Sequence, residues 1–257
     1  MECSWIVFQS EILVNQMSEE LAKRVNRERL HGASEIASRQ AWQGWCSPAG
    51  EIRRERRFRF MTKDLAPSAK VLEVGAGIGT QTEKLSQHFE RLIGIDVSPE
   101  LLEMAKARAP RAELLEMDAH RLTFPDGYFD AVVGVSILHH LDCSVALREW
   151  HRVLRPGGLL RLSEPNLVNP QIFLQKNIPF LKRLSGDSPD EYAFTRWQIA
   201  RELAACHYSE IEVEPVEFMH PNTPRSLIPS VDALERFLSR TFLREIAGSL
   251  LISARKM

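Results

Sequence analysis

Cysteine is scarce in this 257-residue sequence, and its four copies are scattered. Cys3, Cys46, Cys143 and Cys206 form no CxxC pair and no cluster with histidine. This spacing argues against a disulfide framework and against a zinc ribbon, and scattered thiols are typical of a reducing compartment. We therefore expect a cytoplasmic protein without a metal site.

Long apolar runs and an excess of charge of one sign are also missing. No run reaches the roughly 18 apolar residues of a membrane-spanning helix. The apolar stretch 5–14 lacks the basic start and the cleavage site of a signal peptide, so we expect an amphipathic helix there. The 33 basic and 34 acidic residues leave a net charge of −1, which gives no broad cationic surface for binding nucleic acid.

An apolar fraction of 44% is enough for a sizeable core. From Lys70 onward, short apolar runs alternate with helical patterns, which predicts βαβ units and a parallel sheet. The predicted strands are 71–74, 92–95, 113–117, 131–136, 159–163, 211–218 and 249–254. The predicted helices are 81–88, 98–108, 144–154, 195–206 and 231–246.

Two regions lie outside this alternation. Residues 1–65 are polar-rich and helical in pattern, which predicts an N-terminal extension or lid on a main domain of residues 66–257. Residues 166–194 combine several prolines with apolar and basic residues, which predicts a cap inserted into that domain. Three interpretations of the cap stay open: ordinary core packing, lining of an acceptor pocket, and contact with a membrane surface.

The helix predicted over 48–65 carries a run of five arginines. A charge run of this kind is usually a solvated helix face. The alternative is a lid helix in which one arginine binds a ligand carboxylate. The arginines are Arg53, Arg54, Arg56, Arg57 and Arg59.

A glycine-rich turn follows the first predicted strand. Gly75, Gly77 and Gly79 let the backbone turn sharply and approach a ligand, and the next helix offers free N–H groups. Asp96 ends the second strand, 21 residues after Gly75, where a carboxylate can accept both hydroxyls of a ribose. This pattern predicts a nucleotide or nucleoside site, although dinucleotide oxidoreductases share it.

Three further features distinguish between these possibilities. Glu73 lies two residues before Gly75, where an acid suits a ligand ammonium and would repel a pyrophosphate. Asp118 follows the third strand, in position to accept from an adenine amino group, and 156–158 form a Pro-Gly-Gly turn before the fifth strand. In this order the set resembles the class I S-adenosylmethionine-dependent methyltransferase family, and in particular its small-molecule and quinone-type branch. The resemblance is strong over about residues 65–165.

The resemblance implies an α/β, Rossmann-like fold with a seven-stranded, mostly parallel sheet whose last strand is antiparallel. It implies S-adenosylmethionine as cosubstrate, no metal, and a small-molecule or lipid-like acceptor methylated on oxygen, nitrogen or carbon by in-line displacement. Peripheral membrane contact is compatible with such an acceptor, and no nucleic-acid partner is expected. The positions that match the family's donor-binding motifs are Glu73, Gly75, Ala76, Gly77, Gly79, Asp96, Val97, Asp118, Ala119 and Ser136.

The segment after the fourth strand borders the reacting groups in this family. It lacks the Asn- or Asp-Pro-Pro-aromatic signature of nucleic-acid amino methyltransferases. His139 is the candidate general base and His140 the second candidate, because a neutral imidazole can accept a proton from a hydroxyl. The alternative for each is a packed or capping histidine. Glu164, after the fifth strand, either orients a substrate or simply ends the strand.

Two other functions stay open on the sequence alone. One is a donor-binding domain that has lost its activity, and the other is a nicotinamide-dependent oxidoreductase. The sequence does not identify the acceptor or the oligomeric state, because a fold does not specify a substrate.

Overall fold

A computed structural model describes residues 19–30, 46–188 and 191–257 of the chain. The helix expected at 5–14 lies outside these residues. Within them, seven strands form one sheet in the order β3-β2-β1-β4-β5-β7-β6. The strands are β1 Lys70–Val74, β2 Arg91–Asp96, β3 Glu113–Glu116, β4 Phe129–Val135, β5 Leu154–Pro165, β6 Tyr208–Val216 and β7 Ser249–Lys256.

Helices pack on both faces of this sheet, and others precede the first strand or lie in the cap. They are α1 19–30, α2 Pro48–Thr62, α3 Thr82–His88, α4 Pro99–Arg108, α5 Cys143–Val153, α6 Pro170–Asn177, α7 Pro179–Leu184, α8 Arg196–Ala205 and α9 Ile228–Leu238. Short 3₁₀ helices span Leu138–His140, Arg225–Leu227 and Phe242–Ile246. No helix in the described part of the chain has the length and apolarity to cross a bilayer.

The sheet direction agrees with the expected architecture. Strands β1 to β5 pair in parallel, and β7 pairs antiparallel with both β5 and β6. The inner strands are continuous apolar runs because both faces are covered. Val71 and Val133 belong to the core on one face, whereas Leu72, Val74 and Val132 belong to the core on the other. The carboxyl ends of β1, β2 and β4 consequently meet at one edge.

Local side-chain chemistry sets several helix starts. The Ser98 side chain accepts from Leu101 N at the start of α4, and Asp142 accepts from Val145 N at the start of α5. Thr195 and Gln198 form a capping box at the start of α8. These caps satisfy backbone donors that have no partner within the helix.

Two predicted elements differ from the structure. The predicted helix 231–246 is broken, because α9 ends at Leu238 and Thr241 adopts an extended conformation whose side chain caps the 3₁₀ helix Phe242–Ile246. The predicted turn at 156–158 lies inside β5, which begins at Leu154, and the register against β4 shifts there.

The arginine run of α2 is largely not a solvated face. Arg59 is 77% exposed, but Arg57 is buried and its guanidinium contacts Glu217 and Ser163. Arg53 shares the Glu217 carboxylate, at 3.0 Å. Burial lowers the pKa of Arg57 to about 10, against the opposing charge of Glu217, so the group stays charged at neutral pH. The run therefore attaches α2 to the far half of the chain through a buried ion pair.

Candidate active site

The loop after β1 requires glycine at two positions. Gly75 has a φ of +71°, and a Cβ there would lie 2.7 Å from Ile137 Cδ1. Gly79 has a φ of +79°, and a Cβ there would lie 2.8 Å from the Cα of Ala105 on α4. Both combine a left-handed backbone with a close approach, which a side chain would obstruct. Glycine at position 75 therefore leaves room for the side chain of Ile137, and glycine at position 79 lets the loop pack closely against α4.

Two neighbouring cavities open at the carboxyl ends of the strands, where ligands bind in open α/β sheets. The larger has a volume of about 320 Å³, and the smaller about 40 Å³. The candidate residues on the larger cavity are Glu73, Gly75, Ala76, Gly77, Asp96, Val97, Ser136, His139 and His140. Those on the smaller cavity are Gly75, Asp96, Val97, Asp118, Ala119 and His140. Gly79 lines neither of these two cavities.

Glu73 contributes a carboxylate with unsatisfied hydrogen-bonding capacity. Its side chain is 3% exposed, and Oε2 has no hydrogen-bond partner in the described structure. Burial, and secondarily the charge of Asp96, raise the pKa of Glu73 to about 8. A cationic group placed beside it would satisfy the orphaned oxygen and favour its ionised form. The residues present therefore fit a ligand ammonium at this end of the larger cavity.

Asp96 is fixed by backbone donors between the two cavities. Its Oδ2 accepts from Gly77 N at 2.8 Å, and its Oδ1 accepts from Ser98 N at 3.0 Å. Burial raises the pKa of Asp96 in spite of these bonds. Each carboxylate oxygen retains a further lone pair, so Asp96 can still accept from two neighbouring ligand hydroxyls.

Asp118 is held by a histidine that the sequence interpretation missed. Its Oδ1 accepts from His120 N at 2.9 Å and contacts His120 Nδ1 at 2.7 Å. The Asp142 N–H donates to His120 Nε2 at 2.9 Å, so the proton of this ring is on Nδ1. Although burial opposes it, the two His120 bonds lower the pKa of Asp118. These contacts fix the orientation of Asp118 on the wall of the smaller cavity.

His139 and Glu164 form a buried pair beside the larger cavity. His139 Nδ1 lies 2.6 Å from Glu164 Oε2. Glu164 Oε1 accepts from Ile137 N at 3.0 Å and Leu138 N at 2.8 Å, which fixes the segment that presents the ring. Burial, and then the charge of His140, lower the pKa of His139. The neutral ring donates from Nδ1, so its Nε2 is the acceptor.

Ser136 directs the chain into this segment. It follows β4 with a φ of +53°, an uncommon conformation for a non-glycine residue, and its N–H donates to Ser163 O at 2.7 Å. The left-handed turn starts the short 3₁₀ helix that carries both histidines. Strained backbone of this kind is frequent at functional sites.

His140 is paired with α1. Its Nδ1 lies 2.8 Å from Glu28 Oε2, and Arg24 Nε donates to the His140 carbonyl at 2.7 Å. Burial lowers the pKa of His140, but the Glu28 bond and the charge of Glu191 outweigh it, so the net change is upward. Arg24, Val25 and Glu28 also line the smaller cavity, so α1 covers the site. The polar pattern of α1 gave no signal for this contact.

Among the described residues, one group has the ligand types and the spacing of a metal site. Ligand atoms of His139, His140 and Glu191 lie within 4.8 Å of one another. Each already has a partner of its own, namely Glu164, Glu28 and, for Glu191, Lys176 at 2.7 Å. Each of the three side chains is therefore already held by an oppositely charged or hydrogen-bonding partner within the protein.

Arg54 is the one arginine of α2, a fully described helix, that lines the larger cavity. It donates to Thr80 O at 3.2 Å and pairs with Glu51, while its buried Nε has no hydrogen-bond partner. A cation lies here near the glycine loop, on the same cavity as Glu73. The larger cavity thus offers a carboxyl group, Glu73, and a cation, Arg54, to a ligand that carries charges of both signs.

Known proteins resemble this chain in sequence and in fold. The family described as "Methyltransferase domain" matches residues 72–162, from β1 to β5. The demethylmenaquinone methyltransferase of Mycolicibacterium gilvum (strain PYR-GCK) is 30% identical over 179 residues, covering 63% of this chain and 78% of the relative. The protein of the same name from Mycolicibacterium vanbaalenii is 32% identical over 170 residues, covering 61% and 73%. The chain belongs to the class I S-adenosylmethionine-dependent methyltransferases.

The methyltransferase fold is also found among solved structures. The N-methyltransferase NodS from Bradyrhizobium japonicum WM9, in complex with S-adenosyl-L-homocysteine, has a TM-score of 0.61 at 20% identity and covers 89% of this chain and 97% of its own. The predicted family, fold class and cosubstrate are confirmed. The protein is a methyltransferase that uses S-adenosylmethionine and acts on a small molecule, and none of these comparisons supports the oxidoreductase alternative.

Proposed function

We propose that this methyltransferase acts on a small-molecule acceptor whose attacking atom carries a proton, as in a hydroxyl, and that His139 removes that proton. The observation that carries this proposal is the His139–Glu164 pair at 2.6 Å on the wall of the larger cavity. An acceptor without a proton to lose would need only placement. A buried neutral imidazole with its tautomer held by a carboxylate is suited to a general base.

We assign the donor to the larger and the smaller cavity at the carboxyl ends of the strands. The bound S-adenosylmethionine supplies a methyl group already activated on a sulfonium. Glu73 pairs with its ammonium, Arg54 with its carboxylate, Asp96 with the ribose hydroxyls, and Asp118 with the adenine amino group. Gly75, Ala76 and Gly77 allow close backbone approach, Gly79 supports that loop, and Val97, Ala119 and Ser136 line the remaining wall. The cavity positions of all but Gly79 support this assignment.

The proton follows a short route in this proposal. His139 Nε2 accepts it from the acceptor as the methyl group arrives, and Glu164 stabilises the imidazolium through Nδ1. A positioned base typically contributes about 10²–10⁴-fold in rate. Alignment of acceptor and donor for in-line displacement contributes the remainder. His140 is assigned to holding α1 rather than to proton transfer, because its bond to Glu28 and its raised pKa favour the charged ring, which cannot accept a proton.

The extension and the cap complete the site. We propose residues 1–65 as a helical extension on a methyltransferase domain of residues 66–257, with a cap at 166–194. The α1 contacts to His140, and the cap residues Ser185 to Asp187 on the larger cavity, support this division. Covering the site excludes water from the reacting groups. We further propose a cytoplasmic location, supported by the free thiols of Cys46, Cys143 and Cys206.

The proposal is tested with isotopically labelled S-adenosylmethionine and metabolite extracts, with mass spectrometry of the labelled products. Wild-type protein should label at least one acceptor on a protonated atom, and His139→Ala should lower turnover at least about tenfold. His220→Ala removes an exposed histidine and is the matched control. Donor affinity should stay nearly unchanged in both variants. Normal turnover of His139→Ala would remove the base and leave alignment as the mechanism.

A further inference from the structure

The exposed large apolar side chains of the described residues are concentrated on one part of the molecule. Twelve of the sixteen lie between residues 173 and 246. They occupy α6, α7, Trp197, α9 and the 3₁₀ helices beside α9, and the most exposed include Phe180 at 71%, Leu184 at 74%, Phe237 at 65% and Phe242 at 83%. We call these residues the apolar face. Exposed apolar residues at this density mark an interaction site.

The two halves of the apolar face adjoin one another. Asn169, which caps α6, donates from Nδ2 to Ile246 O at 2.8 Å. Asn166 donates to Glu245 O at 2.9 Å and to Ala247 O at 2.8 Å. The start of the cap is therefore attached to the 3₁₀ helix that follows α9, which places the beginning of α6 beside residues 245–247.

The segments that form this face carry an excess of positive charge. Segments 170–188 and 225–246 contain seven basic and four acidic residues, a net charge of +3, whereas the whole chain has −1. The acids are engaged by the protein: Asp232 and Glu235 bind Arg56 at 2.8 Å, Glu245 contacts Arg196, and Asp187 binds Lys176. The exposed basic side chains next to the apolar residues include Arg183, Arg225 and Arg240.

We propose that the apolar face docks on the surface of a bilayer that contains anionic lipids. Apolar side chains enter the boundary of the acyl chains while the arginines contact lipid headgroups. A second copy of the chain would bring the same cationic rims together, so charge complementarity favours the anionic bilayer. Ser185, Gly186 and Asp187 follow Leu184 directly and line the larger cavity, which places the cavity wall next to the docked surface. The inference stands independently of which atom of the acceptor is methylated.

Vesicle sedimentation tests the proposal with the full chain. We expect wild-type protein to sediment with vesicles of phosphatidylcholine mixed with phosphatidylglycerol, and much less with phosphatidylcholine alone. Phe180→Ser combined with Phe237→Ser should weaken binding at least about tenfold. Arg183→Glu combined with Arg240→Glu should remove the preference for the anionic vesicles, and high salt should act in the same direction. Met104→Ser combined with Tyr128→Ser, two exposed apolar residues elsewhere, is the matched control.

The thermal shift produced by S-adenosylhomocysteine is measured for every variant, because an unchanged shift shows a folded donor site whether or not vesicles bind. Absence of vesicle binding by the wild type would overturn the proposal. Equal binding by the Phe180/Phe237 variant would overturn it as well. If light scattering shows a dimer that this variant dissociates, and vesicles do not bind, the face is an interface between copies instead.

Discussion

His139 and His140 are adjacent residues whose pKa values shift in opposite directions. His139 donates to Glu164 and its Nε2 lies 3.9 Å from Glu191 Oε2, but burial and the charge of His140 outweigh these carboxylates and lower its pKa. His140 has the Glu28 and Glu191 carboxylates within 4 Å, and its pKa is raised. The pKa of His139 therefore lies below the ordinary histidine value and that of His140 lies above it. A pH profile of the rate can consequently show which ring is the base.

The pH dependence of kcat/KM for the acceptor, measured at saturating donor so that Glu73 is already ionised, should identify the base. If His139 accepts the proton, the rate should stay level as the pH falls to about 6.5 and should decline only below it, because its pKa is lowered. Glu164→Gln should reduce kcat at least about tenfold with donor affinity retained, since the imidazolium loses its carboxylate. Initial rates with labelled donor across pH 5 to 8 measure this. A midpoint above about 6.5 would instead identify His140 as the base.

Glu73 leads to a second prediction at the residue scale. With a pKa of about 8, it is mostly protonated in the free protein at pH 7. A bound ammonium lowers that pKa, so the carboxyl ionises and donor binding should release close to one proton. Calorimetry in buffers of different ionisation enthalpy counts the released protons. Glu73→Gln should bind more weakly and release none, and proton release equal to that of wild type would separate Glu73 from the ammonium.

At the scale of elements, the structure depends on contacts between distant parts of the sequence. The strand and helix positions could be predicted because short apolar runs, caps and glycines act locally. The role of the α2 arginines could not, because the partner of Arg57 is Glu217, 160 residues away. The same holds for Glu28 and His140, which are 112 residues apart. Local patterns give elements, whereas the sign and burial of a charge depend on which element packs against it.

The buried Arg57–Glu217 pair should be far more important for stability than an exposed pair on the same helix. Glu217→Ala leaves Arg57 buried without its carboxylate and should lower the free energy of unfolding by about 3–5 kcal/mol. Glu55→Ala, which removes the carboxylate that pairs with the exposed Arg59 and with Lys84, should lower it by about 1 kcal/mol or less. Chemical denaturation measures both, and equal losses would contradict the prediction.

The pH dependence of that stability follows from the direction of the shift. Although burial opposes it, the charges of Arg57 and Arg53 lower the pKa of Glu217 in the folded chain. The pair's contribution is therefore complete above the ordinary glutamate pKa of 4.5 and is lost as the pH falls through the folded value. Glu217→Ala should remove this part of the acid sensitivity.

For the whole molecule, the sequence predicts the residues at the strand ends of the candidate site, but not the contacts made by the elements that cover it. The donor edge of the sheet followed from Gly75, Gly77, Asp96 and their order, because the carboxyl ends of parallel strands converge. The sequence also predicts a lid and a cap, but not the residues through which they contact the site, Glu28 and Glu191, because these lie in ordinary polar segments. In the proposed function, the motif-bearing strands bind the cosubstrate and the covering elements control access to it.

The α1 cover should make donor release depend on pH. Below the raised pKa of His140 the ring is charged and holds Glu28, whose own pKa is lowered by that bond in spite of burial. As the pH rises through the His140 pKa the charge is lost, and a charge-assisted bond worth about 1.5–3 kcal/mol weakens toward a neutral one. Dissociation of labelled S-adenosylhomocysteine, measured by displacement, should therefore become up to about tenfold faster. Glu28→Gln should be fast at every pH, whereas Glu20→Gln, on the exposed side of the same helix, should match the wild type. A wild-type release rate that does not change with pH would show that α1 does not control the donor site.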